Sequence, residues 1–323
     1  MKRIEDLWKE AGVGYATPLD YCPIKIGQKH RVNMLALGDV GMTVLIGLRL
    51  LGSDVIEEIG ICDINPANVE RLEQEMNQIN YPFGLETLPP VKIVDEKTLF
   101  DCDVMIFCAS KGIPPIGAKG DVRMAQLAAN REIIAHYGAL AKAADYQGMV
   151  CVVSDPVDPL CKAFLEAAQL HPAQIQGYGL GVMNARALYY AGKDSRFKAY
   201  AEEGRAFGPH GEDLVIANSL TDYDDELSEE LTGLTVTANM KVRELGFKPY
   251  IAPALSSAAI SILLTLRGEW HYSSLYLGDS SAGAFLGIKN RMLDKGPVYE
   301  DVELAEPLYK RIKRAYDNLC NLK

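Results

Sequence analysis

A doubly wound, mostly parallel α/β sheet followed by a smaller α+β unit is the fold class the sequence predicts. Three observations carry that prediction. From residue 31 onward, apolar strand-like runs alternate with helical patterns. The runs are apolar on both faces, as strands covered by helices on each side must be. After "QIQGYG" (174–179) the alternation stops and a different order of elements begins.

Taken in order, "RVNMLAL" reads as a buried strand and "VGMTVLIGLRLLG" as a helix apolar on nearly every face. "EEIGICDI" is a second strand, and "NPANVERLEQEMNQI" an amphipathic helix opening at Asn65 or Pro66. "VKIV" and "DVMIFCA" give two more strands, followed by a long helix from about 121 to 144 and the strand "MVCVVS". A helix near 182–191, a long helix over 226–245, an apolar helix over 251–266, short strands within 275–293 and a closing helix make up the rest. The division expected is an N-terminal arm (1–30), a nucleotide-binding unit (31–175) and a substrate unit (176–323).

Composition narrows the function. The 323 residues carry a net charge of −10 and 48% apolar residues, which disfavours nucleic acid or an anionic membrane as partner. The stretch 254–266 is too short and serine-rich to span a bilayer, and "MKRIEDLWKE" has acids where a leader needs its apolar run. Seven cysteines without a CxxC pair read as free thiols of a reducing, cytoplasmic setting, and no histidine–cysteine constellation suggests a metal.

Between the first strand and helix lies "ALGDVGMTV". A dinucleotide turn uses glycines for a tight bend, for close approach of a pyrophosphate and for helix packing. Ala36 holds the first place, while Gly38 and Gly41 hold the second and third, with Asp39 and Val40 between them. Asp63, 22 residues beyond Gly41, stands where a carboxylate accepts from ribose hydroxyls and repels a 2′-phosphate. NAD is therefore the expected cofactor.

Four further stretches occur in a telling order: "GDVRMAQLAANREI", "VVSDPVDPL", "QIQGYGLGVMNAR" and "FGPHGED". Together with the glycine turn they resemble the NAD-dependent lactate/malate dehydrogenases from about residue 31 to the C-terminus. The resemblance implies a Rossmann-type NAD-binding domain, hydride transfer between nicotinamide and a small 2-hydroxy/2-oxo acid, and a homo-oligomer, dimer or tetramer. It implies His210 as the group exchanging the proton, Arg186 as the grip on the substrate carboxylate and Arg123 as the polariser of the carbonyl. It also places Ala109 and Asn130 near the cofactor. Imidazole and guanidinium suit these tasks, the first by changing charge near neutrality and the second by its bidentate fork.

Departures from that family mark the pocket as altered. The aspartate that orients the histidine, three residues before the carboxylate-binding arginine, is here Met183. The asparagine that meets the substrate oxygen is Asp155. Either the carboxylate has moved, with Asp155 partnering His210 from the other side, or Asp155 stays protonated or meets a cation on the substrate. The segment 111–122 is about four residues longer than usual and holds neither the glutamine of lactate enzymes nor the arginine of malate enzymes. Lys119 within it, and Lys248 in "GFKPYIAPAL", are the expected readers of an unusual substrate tail. The alternative function is an NAD-binding homologue with little or no dehydrogenase activity, a sensor or scaffold.

Overall fold

The computed structural model describes residues 2–13, 19–111, 122–279 and 282–322, with the backbone alone for 122–125. A short helix α1 (Glu5–Glu10) precedes strand β1 (His30–Leu35), helix α2 (Asp39–Leu51), β2 (Ile56–Cys62), α3 (Pro66–Asn77) and β3 (Val91–Ile93). The second half-turn of the winding is β4 (Val104–Phe107), α4 (Val122–Ala143), β5 (Met149–Val152), α5 (Val157–Ala168) and β6 (Ile175–Gly177). These six strands lie parallel in the order β3-β2-β1-β4-β5-β6. The order reverses between β1 and β4, and the crevice beyond their C-terminal ends is where such sheets bind ligands.

Both faces of the sheet are covered. On β4, Val104 and Ile106 join one core while Met105 and Phe107 join the other, and Met149 and Cys151 alternate with Val150 and Val152 in the same way on β5. The two-sided apolar runs in the sequence have this alternation as their cause.

The second part comprises α6 (Leu180–Ala191), α7 (Tyr200–Glu203), β7 (Arg205–Phe207), β8 (Val215–Ala217) and α8 (Asp225–Glu244). A wide helical turn over Pro253–Ala259 then leads into α9 (Ile260–Leu266), β9 (His271–Gly278), β10 (Gly283–Leu293), β11 (Gly296–Tyr299) and α10 (Glu306–Asn321). β9 pairs antiparallel with β6 through Gly177 and Ser274, so one nine-stranded sheet runs through the whole chain. β9 and β10 form one long hairpin where only short strands were expected. Their buried serines, asparagine and histidine weaken the apolar signal on which sequence reading depends.

The first residues are not detached from the body. Ile4 and Leu7 are fully buried against α10 and β10, and Lys2 forms a bridge with Leu304. All seven cysteines are free, and among the described residues no helix is long and apolar enough to cross a membrane.

At the β6–β9 seam lies a buried polar network with a measurable consequence. His271 Nδ1 faces the Glu269 carbonyl at 3.0 Å, and Nε2 lies 2.9 Å from Thr265 Oγ1 and 3.1 Å from Ser273 Oγ. Burial pushes the imidazole from 6.5 down to about 4. Between those values the unfolded chain binds the proton and the folded chain does not, so stability falls as pH drops. The loss expected between pH 6.5 and 4 is about 3 kcal/mol from this group alone. Chemical denaturation of wild type and His271→Gln across that window checks it, the variant showing a shallower acid dependence.

Candidate active site

The glycine turn is built as the motif requires, with one substitution. Ala36 adopts φ +71°, a left-handed conformation costing a side-chain-bearing residue about 1 kcal/mol. A Cβ on Gly41 would lie 2.0 Å from the Ala36 carbonyl oxygen, so no side chain fits there. A Cβ on Gly38 would meet nothing within 4 Å, leaving room for a ligand at the N-terminus of α2. The Asp63 carboxylate is held by the Leu37 N–H (2.6 Å) and the Asn65 N–H (2.9 Å), which aim it at the mouth of this turn. These groups suit the adenosine and pyrophosphate of a dinucleotide.

Asp155, at the exit of β5, meets His210 in the loop between β7 and β8. Its Oδ1 lies 3.1 Å from Nδ1, so the ring's Nε2 is left for another partner. The imidazole side chain is 16% exposed and the carboxylate 51%, a pair that opens to solvent on the acid's side. Gly179, before α6, is needed for this approach: a Cβ there would stand 2.8 Å from His210 Cβ.

Asn130 on α4 is fully buried and braces the acid from behind. Its Nδ2 donates to the Asp155 carbonyl (2.8 Å) and to Ser110 Oγ (3.2 Å), while Oδ1 accepts from the Lys111 N–H (2.7 Å). This side chain is a strut between two site loops. Ser154 Oγ donates to the Ala109 carbonyl at 2.7 Å, tying the ends of β4 and β5 together.

Arg186 projects from α6 toward the same place. Burial lowers its pKa, while the charge of Asp155 works in the opposite sense. One nitrogen donates to Met183 Sδ at 3.5 Å. Among the described residues no carboxylate lies within ion-pair distance of Arg186. A desolvated guanidinium with a thioether for a partner is suited to receiving an anion from outside the chain. Met183, 2% exposed, belongs to the apolar core and offers His210 nothing. Asn184 is occupied elsewhere, accepting from the Tyr200 hydroxyl at 2.9 Å.

The remaining expected residues fall differently. Lys248 places Nζ 2.8 Å from Asp39 Oδ2, at the start of α2 and the glycine turn. Lys119 and the side chain of Arg123 lie outside the described residues. Asp158, quoted in "VVSDPVDPL" but given no role, sits in the first turn of α5 and is 3% exposed. Burial pushes its carboxyl up to about 7, against a hydrogen bond to Ser274 and the nearby charge of His210. An acid among the apolar residues of the first turn, Val157, Pro159 and Leu160, was the signal available for it.

With this geometry in place, comparison with known proteins is informative. A family model for the lactate/malate dehydrogenase NAD-binding domain matches residues 30–177. The L-lactate dehydrogenase of Treponema denticola is 30% identical over 199 residues, 60% of this chain and 59% of that protein. That of Mesomycoplasma hyopneumoniae (strain 232) is 25% identical over 191 residues, 58% of each. These alignments span less than two thirds of the relatives' length. Among solved structures, the minor L-lactate dehydrogenase from Enterococcus mundtii superposes with a TM-score of 0.74 at 18% identity, covering 90% of this chain and 96% of that one. The malate dehydrogenase from Archaeoglobus fulgidus in complex with NADH gives 0.71 at 17% identity, covering 90% and 97%. At such identities the structural likeness speaks to the fold, while the family model speaks to the nucleotide-binding half. On these findings residues 30–177 match the NAD-binding domain of the lactate/malate dehydrogenases, and the chain shares the fold of those enzymes.

Proposed function

We propose that this protein is an NAD-dependent oxidoreductase acting on a 2-hydroxy/2-oxo acid other than plain lactate or malate. The observation that carries the reading is the 3.1 Å contact between His210 Nδ1 and Asp155 Oδ1, beside a half-buried Arg186. Gly38, Asp39, Val40 and Gly41 would hold the dinucleotide's phosphates and Asp63 its ribose, the acid favouring NAD over NADP. The nicotinamide, when bound, supplies the hydride donor or acceptor.

The chain's own residues do the rest. Arg186 grips the substrate carboxylate in a fork that a lysine cannot reproduce. His210 gives a proton to the substrate oxygen from Nε2, or takes one there in the opposite direction. Asp155 holds Nδ1 and stabilises the imidazolium, the task that Met183 cannot perform. Asn130 fixes the backbone from which Asp155 projects. Arg123, by its motif position at the start of α4, polarises the carbonyl. An ionised Asp155 donates nothing to the substrate oxygen, so His210 and Arg123 must supply that stabilisation between them. Lys119 and its segment are the proposed reader of the substrate tail.

Purified protein should consume NADH with at least one member of a 2-oxo acid panel that includes aromatic, acidic and basic side chains. The preferred acid should exceed pyruvate and oxaloacetate in kcat/KM. NADH binding without turnover on any acid would favour a sensor or scaffold instead.

A further inference from the structure

Lys248 is 209 positions from Asp39 in the chain, and its Nζ nevertheless lies 2.8 Å from that carboxylate. Asp39 is the first residue of α2, adjacent to Gly38 and the open space beside it. An acid at that place conflicts with the ligand proposed above, because a pyrophosphate brings two negative charges to the same helix end. The helix N-terminus attracts anions, and a neighbouring carboxylate works against it. The lysine comes from the segment between α8 and the wide turn at Pro253–Ala259, so the pair links the nucleotide-binding half to the substrate half. Hydrogen bonding and charge from Asp39 both favour the ammonium form of Lys248.

We infer that Lys248 is the charge partner that allows an acidic glycine turn to accept the phosphates of a dinucleotide, and is not a reader of the substrate tail. The inference rests on the NAD-dependent reading. In wild type the ammonium neutralises Asp39, and the phosphates meet the helix end and the turn amides without net repulsion. Removal of the lysine exposes the carboxylate to the incoming anion. Removal of both charges restores a neutral turn. This pattern separates compensation from a direct lysine–phosphate contact, for which the double variant would stay weak.

Fluorescence titration of NADH into the full-length protein at low ionic strength tests it, with adenosine as an uncharged probe of the Asp63 end. Lys248→Met should weaken NADH binding about tenfold, with the effect shrinking as salt is added. Asp39→Asn should tighten it, the double variant should return to within about twofold of wild type, and adenosine affinity should not change. The inference is overturned if Lys248→Met binds NADH as wild type does, or if the double variant is as weak as Lys248→Met. A raised KM for the 2-oxo acid with unchanged NADH affinity also overturns it, while leaving the dehydrogenase reading intact. Failure of the wild type to bind NADH would remove both.

Discussion

Asp155→Asn should lower kcat for 2-oxo acid reduction by on the order of 10²–10³-fold, with little change in thermal stability. The carboxylate is half exposed, so its ion pair with His210 adds little to folding. Its effect is on the imidazole: it orients the ring through Nδ1 and favours the imidazolium that donates the proton. With the anion gone, the ring loses the acceptor that orients it and the charge that offsets the imidazolium formed in turnover. A structural role alone would lower thermal stability together with kcat. A second variant sharpens the test. Asp155→Asn combined with Met183→Asp recreates the arrangement implied by the family motifs, and it should recover a large part of the lost turnover. Wild-type turnover in Asp155→Asn, or no recovery in the double variant, would show that the histidine's support lies elsewhere.

The parallel half of the fold was legible in the sequence because its signals are local. Two-faced apolar runs, the Gly38–Gly41 turn and Asp63 at a fixed distance all lie within one β-α-β unit. Met183 pointed to a missing carboxylate, and Asp155 was the acid at a position where the family has none; those side chains' partners do meet, Asp155 with His210 and Met183 with Arg186. What escaped was contact at long range. The Lys248–Asp39 pair crosses most of the chain, and Asn130 reaches Asp155 from another element. Docking of α1 onto α10 escaped as well, since a six-residue helix gives too little periodicity to show which face it buries. The β9–β10 hairpin was read short because its interior is polar where it meets the seam.

Arg186→Met should separate function from stability. The guanidinium is largely withdrawn from water, and among the described residues it hydrogen-bonds the Met183 thioether. Holding a cation in that state costs folding free energy that a directly paired carboxylate would offset more fully than the distant charge of Asp155 does. Methionine of similar length, packed beside Met183, removes the charge and keeps much of the volume. The variant should therefore unfold at a higher temperature, gaining ~1 kcal/mol in stability. Its kcat/KM for the 2-oxo acid should fall by on the order of 10³-fold, mostly through KM, because the carboxylate has lost both its charge partner and its fork. Arg186→Lys should recover the charge without the fork and land between the two. NADH affinity should be untouched in both variants, which distinguishes a lost carboxylate grip from a collapsed pocket. A variant that loses stability together with substrate affinity would mean that Arg186 is a structural cation with a partner inside the fold.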